Sequence, residues 1–158
     1  MGFELANSAA NKGAEVILVS GPTHCKIDSN RVTTHAVFTA KEMYKVVHQH
    51  FSSVDAAILS AAVSDYRPKK TALSKIKKTS ESLLLELEKT EDILASLGAV
   101  KAHQFLVGFA LETDDEVANA IKKLKSKNLD LIVLNSLKDF GAGFGAVSYT
   151  HLTLPTTR

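Results

Sequence analysis

Residues 55–78 read DAAILSAAVSDYRPKKTALSKIKK, and this stretch decides how the chain is read. It opens on an apolar run, residues 56–59, that predicts a buried strand. The run gives way to small residues, Ser60, Ala61 and Ala62, and then to a polar turn, Ser64-Asp65-Tyr66-Arg67-Pro68. In an open α/β sheet, ligands settle beyond the carboxyl ends of the strands, and small residues there let a ligand reach the backbone. Asp65 is placed to accept hydrogen bonds from a base or sugar edge, and Lys75, Lys77 and Lys78 to neutralise phosphates. On composition alone, such a lysine-rich loop is more commonly just solvated surface.

Working outward, strands and helices alternate. Residues 1–12 carry Phe3, Ala6, Ala9 and Ala10 at helical spacing, and Gly13 is a natural stop. Residues 15–20 (EVILVS) form a near-continuous apolar strand ahead of Gly21-Pro22, and residues 31–37 (RVTTHAV) predict another. Thr39 and Glu42 have the spacing of a capping box, opening a helix with Met43, Val46, Val47 and Phe51 on one face. A stripe of that kind is core rather than a cofactor box. Residues 83–87 (LLLEL) predict a strand, after which Thr90 caps a helix with Glu91 and Asp92 in its first turn. Residues 104–109 (QFLVGF) predict the next strand. A second capping box, Thr113 to Glu116, starts a helix that buries Val117, Ala120, Ile121 and Leu124. Lys122, Lys123, Lys125 and Lys127 crowd its C-terminal half, where the helix dipole favours cations. Residues 129–134 (LDLIVL) are the last clear strand, ending at Asn135. The alternation predicts an α/β fold with a Rossmann-like, doubly wound, mostly parallel sheet.

Length and composition narrow the function classes. The 158 residues suit one domain, and a net charge of +2 gives no warrant for a nucleic-acid partner. Cys25 is the only cysteine, so no internal disulfide forms, which fits a reducing compartment. The six histidines are scattered and offer no zinc-like spacing. No apolar run approaches the ~20 residues that span a bilayer, and no signal peptide is visible. A cytoplasmic protein without a membrane partner is expected.

Several motifs in order carry a resemblance. Residues 60–68 (SAAVSDYRP), followed by Lys75-Ile76-Lys77-Lys78, are joined by Met1-Gly2-Phe3, Val19-Ser20-Gly21-Pro22, residues 107–113 (VGFALET) and Lys127-Asn128-Leu129-Asp130. Together, over residues 1–146, they resemble the phosphopantothenate–cysteine ligase family, the C-terminal half of the bacterial bifunctional coenzyme A biosynthesis flavoprotein. The resemblance implies an enzyme with CTP, Mg²⁺, 4′-phosphopantothenate and L-cysteine as reactants, working as a homodimer of ligase domains. The substrate carboxylate would attack the α-phosphate of CTP, and the cysteine amine would then displace CMP from the acyl-cytidylate. Both steps concentrate negative charge, which calls for cations and backbone amides rather than a protein nucleophile.

Residue by residue, Leu59, Ser60 and Ala61 resemble the backbone that borders the nucleotide, and Asp65 the acid that recognises it. Lys75 resembles the phosphate-contacting lysine and is the expected catalytic residue. Glu91, Asp92, Ile93 and Leu94 match a further nucleotide-contacting segment. The family commonly has Asn-Pro-Asp-Ile there against Thr90-Glu91-Asp92-Ile93, which agrees at two positions only. Phe109 resembles an aromatic near the base, although it reads equally as a strand-end core residue. Lys123 and Lys127 resemble phosphate-side lysines, and Asn135 a polar residue at the sheet's C-terminal edge. No protein metal ligand is assigned.

The resemblance also implies that a first strand, a glycine-containing loop and an asparagine belong upstream of Met1. The chain is therefore expected to be a fragment, with its sheet truncated at both ends and inactive alone. FMN is expected only in a decarboxylase half that has no counterpart in residues 1–158. The pattern stops at Ala146, and residues 147–158 (VSYTHLTLPTTR) read as an adapter-like, non-native tail. Two other readings remain at this stage. One is a nicotinamide-dependent Rossmann oxidoreductase, although no GxGxxG follows a strand. The other is a non-catalytic nucleotide-binding or dimerisation module.

Overall fold

The computed structural model describes residues 1–72, 74–77, 83–112 and 114–136. Lys78, the Thr113 cap, the turn after Asn135, the boundary at Ala146 and the tail at 147–158 lie outside the described residues. The described elements run α1 (Gly2–Asn11), β1 (Val16–Ser20), β2 (Val32–Ala36), α2 (Ala40–Phe51), β3 (Ala56–Leu59), β4 (Tyr66–Pro68), β5 (Leu87–Lys89), α3 (Ile93–Val100), β6 (Phe105–Glu112), α4 (Glu116–Ser126) and β7 (Leu131–Ser136). The expected α/β architecture is present, and its sheet is mostly parallel. β1 pairs with β2, and β3, β6 and β7 form a second parallel sheet in the order β3-β6-β7. Among the described strands, only the β4–β5 pair is antiparallel.

Local chemistry explains most of the element ends. Gly13 takes φ +95°, which lets the chain leave α1 and turn into β1. At the start of α2, Thr39 Oγ1 accepts the Glu42 amide at 3.1 Å. Glu42 Oε2 returns to the amide of Phe38 at 2.8 Å, one residue before the usual capping-box partner. At α3 the cap differs from expectation. Asp92, not Thr90, is the N-cap, and its Oδ1 accepts the Ala95 amide at 2.9 Å. The Thr90 hydroxyl instead donates to the Ser64 carbonyl. α4 is entered through Asp115, in the left-handed region (φ 43°) and itself making no side-chain cap bond.

The strand predicted at residues 83–87 is also displaced. Leu84 is 97% exposed, and pairing begins only at Leu87, opposite Pro68. An apolar run becomes a sheet strand when a neighbour can take its backbone and cover its side chains. β4 is short and carries Pro68, which has no N–H to donate.

The core lies between the β3-β6-β7 sheet and the helices. Leu106 and Ala110 of β6 stand beside Ile132 and Leu134 of β7, packed with Ile93 and Leu97 of α3 and Ala120 and Leu124 of α4. Phe51, at the end of α2, joins the same cluster with Met43 and Val47 against it. Val117, expected on the buried face of α4, is exposed. So are Ile58 and Phe105, and β3 is therefore covered on one face rather than buried on both. A Cβ on Gly98 would lie 1.9 Å from the Lys127 carbonyl oxygen, so α3 approaches the end of α4 backbone to backbone. Asn128, at φ 52°, closes that contact by donating from Nδ2 to the Gly98 carbonyl at 2.9 Å. Among the described residues, no helix is long and apolar enough to cross a membrane.

Candidate nucleotide site

The carboxyl ends of β1, β2 and β3 open on one cleft of about 510 Å³. Gly21 lines it after β1, Phe38 and Thr39 after β2, and Ala62 and Ser64 after β3, with Arg67 and Thr90 closing one side. This is where an open α/β sheet places its ligands.

The expected site residues fall into three groups. The first surrounds the end of β3. Leu59 is half-buried against the core. Ser60 lies under the start of α1, where a Cβ on Gly2 would come within 3.1 Å of its Oγ. Ala61 is exposed, and its carbonyl accepts the Val63 amide. The exposed Asp65 uses its backbone carbonyl to accept the Thr90 amide at 2.9 Å. Its carboxylate has no partner among the described residues.

The second group is the start of α3, drawn to the first by Thr90. Glu91 Oε2 lies 3.8 Å from Arg67 Nη1, and Arg67 Nε donates to Glu88 Oε1 at 2.8 Å across the β4–β5 pair. Asp92 Oδ2 pairs with Lys127 Nζ at 2.8 Å, so two residues expected to face nucleotide hold one another. Ile93 is buried in the core, and Leu94 packs toward Gly108, whose missing Cβ would lie 2.8 Å from Leu94 Cδ2. Those two side chains point inward, and only their backbones are available to a ligand. Lys123 is half-buried on α4, one turn before Lys127.

The third group stays apart. Lys75 is exposed on the loop after β4, with no partner among the described residues. Phe109 is half-buried, and its place in β6 puts it on the opposite sheet face from Leu106 and Ala110. Sequence reasoning missed the linking roles of Arg67 and Thr90. The Arg67–Glu88 bond joins residues far apart in the chain, and no local pattern announces it.

Asp92 carries a resolved electrostatic signature. Partial burial pushes its carboxyl up, but the Lys127 ammonium and the amides of Ala95 and Leu94 outweigh this and hold it below the ordinary value. A depressed folded-state value stabilises the fold above the unfolded pKa of ~3.9, and that stability is lost as pH falls through the folded value. Asp92→Asn keeps the capping oxygen and loses the ion pair, which is half-exposed, so a loss of only ~0–1 kcal/mol is expected. Asp92→Ala also removes the cap and should lose ~1–2 kcal/mol. Urea melts at pH 7 and pH 3.5 check this, and the gap between wild type and Asp92→Asn should shrink at the lower pH.

Among the described residues, no three His, Cys, Asp or Glu side chains converge on a point that could hold a metal.

Comparison with known proteins points one way. The chain is 53% identical over 146 residues to a protein named cysteine/cysteine sulfinic acid decarboxylase from an unknown prokaryotic organism. It is 45% identical over 146 residues to the coenzyme A biosynthesis bifunctional protein CoaBC of Bacillus subtilis. Each alignment takes in 92% of this chain but only 41% and 36% of the relative, so the chain spans less than half of those curated relatives. The solved C-terminal domain of a CoaBC protein superposes with a TM-score of 0.76 at 40% identity, covering 99% of this chain and 73% of that one. The family model described as the DNA/pantothenate metabolism flavoprotein C-terminal domain matches residues 1–156, and the chain belongs to that family.

Proposed function

We propose that this domain serves coenzyme A biosynthesis as a CTP-dependent ligase joining 4′-phosphopantothenate to L-cysteine. The observation that carries the reading is Asp65. It follows a strand's carboxyl end at the rim of the cleft, with a carboxylate that no described residue satisfies, beside the N-terminus of α3. The similarity to CoaBC proteins supplies the choice of reaction.

In the first step a carboxylate oxygen of phosphopantothenate bonds to the α-phosphorus of CTP, and the bond to the departing pyrophosphate breaks. In the second, the cysteine amine bonds to the acyl carbon, its proton is lost and CMP leaves. Asp65 reads the nucleotide, Lys75 and Lys123 meet phosphate charge, and the amides at the start of α3 add a favourable dipole. Lys127 can join them only by loosening its bond to Asp92. Mg²⁺, when bound, enters with the nucleotide phosphates and neutralises them. This reading places the reaction in the cytoplasm.

Two further parts of the reading rest on exposed surface. Leu83, Leu84, Leu85 and Leu87 are each more than half exposed, and a second copy of the domain is the partner that would cover them. β1 and β3 each have one edge unpaired among the described residues. Unpaired edges favour association over turnover, and residues 1–158 alone are expected to be inactive.

Calorimetric titration tests the reading. CTP should bind the isolated chain, and NAD(P) should not. Binding of NADPH with no response to CTP would favour a dehydrogenase instead. Nucleotide binding that persists without pyrophosphate release in an intact two-domain protein would favour a sensing module.

A further inference from the structure

We propose that Thr90 is a positioning residue for the nucleotide, acting through Asp65; the inference rests on the reading of Asp65 given above. Thr90 grips two consecutive carbonyls. Its amide donates to the Asp65 oxygen at 2.9 Å, and its hydroxyl donates to the Ser64 oxygen. With both carbonyls held, the turn that carries Asp65, between the cleft-lining Ser64 and Tyr66, has little freedom left, and the Asp65 carboxylate has no partner among the described residues.

Thr90 also stands immediately before Glu91 and Asp92, whose side chains are held by Arg67 and Lys127. The clamp therefore fixes the distance between the Asp65 turn and the start of α3. Thr90 lines the cleft itself, yet its hydroxyl is committed to Ser64 rather than free to meet a ligand. A geometry fixed before binding lowers the ordering cost that a ligand must otherwise meet. Neither α3 nor the core depends on the hydroxyl, because Asp92 caps the helix.

The test compares CTP binding by calorimetry and urea midpoints for the wild-type chain, Thr90→Val and Thr90→Ser. Valine keeps the shape and the amide but loses the hydroxyl. The expected result is a CTP Kd raised about five- to tenfold in Thr90→Val, as for one lost hydrogen bond. The urea midpoint should stay at the wild-type value, and Thr90→Ser should restore the affinity. Equal Kd values for wild type and Thr90→Val would overturn the role of Thr90 while leaving the nucleotide reading intact. A fall in midpoint that tracks the loss of affinity, or no rescue by serine, would make Thr90 structural and overturn it as well. Absence of CTP binding by the wild-type chain would remove the nucleotide reading first, and the inference with it.

Discussion

Asp130→Ala is expected to unfold this domain far more easily than any change in the cleft, with a loss of about 3–5 kcal/mol. Asp130 and Lys101 are only 8% and 9% exposed at their side chains, and Asp130 Oδ2 lies 2.9 Å from Lys101 Nζ. The same oxygen accepts the Leu106 amide at 2.8 Å, and the Asp130 amide donates back to the Leu106 carbonyl. Truncation would leave a buried ammonium and a buried strand amide with nothing to replace water. Domains of this size are stable by only ~5–15 kcal/mol, so the loss takes a large share. Replacing both partners, as in Lys101→Met with Asp130→Leu, should recover part of it, since apolar pairs often match buried ion pairs. The Leu106 amide would still lack its acceptor, at a cost of ~1–3 kcal/mol. Urea denaturation of the wild type and the two variants decides the matter. A single Asp130→Ala within 1 kcal/mol of wild type would show that the pair is not buried in solution.

The second large effect is on turnover. In an intact ligase carrying this domain, Lys75→Ala should lower kcat/KM for CTP by about 10²- to 10³-fold, as expected for a donor aimed at charge that develops in the transition state. The unfolding midpoint should not move, because Lys75 is exposed and makes no bond among the described residues. A lysine that only decorates the surface contributes ~0–1 kcal/mol, and a change of less than about fivefold, ~1 kcal/mol, would refute the phosphate role. Lys75→Arg separates charge from geometry. Partial activity there would mean that a cation suffices, since arginine keeps the charge but changes its shape and reach.

Much of the fold was legible in short-range pattern. The helical stripe of Met43, Val46, Val47 and Phe51 and the apolar runs at 15–20, 104–109 and 129–134 each announce an element, because burial of one face demands that spacing. The Thr39 cap was legible for the same reason, as its partners lie within one turn. Where the reading slipped, the competing partner lay outside the local window. Thr90 has the spacing of a cap, but Asp92 is the better acceptor for Ala95, and the Ser64 carbonyl claims the threonine hydroxyl. Residues 83–85 have strand composition, yet the short edge offered by β4 leaves them unpaired.

The candidate site divides in the same way. Sequence alone determined its chemistry and order: small residues after β3, an acid at Asp65, the basic loop to Lys78 and the motifs that carry the family resemblance. These follow from residue type and spacing along one chain, which a sequence states directly. Only the tertiary structure decided which of these groups meet. It joined Asp92 to Lys127 at 2.8 Å, turned Ile93 and Leu94 into the core, and bound the Asp65 turn to Thr90. It also required Gly98, because the backbones of α3 and the end of α4 touch there. Such pairings depend on how the sheet brings distant segments side by side, and the strength of a contact between two residues carries no trace in the sequence between them.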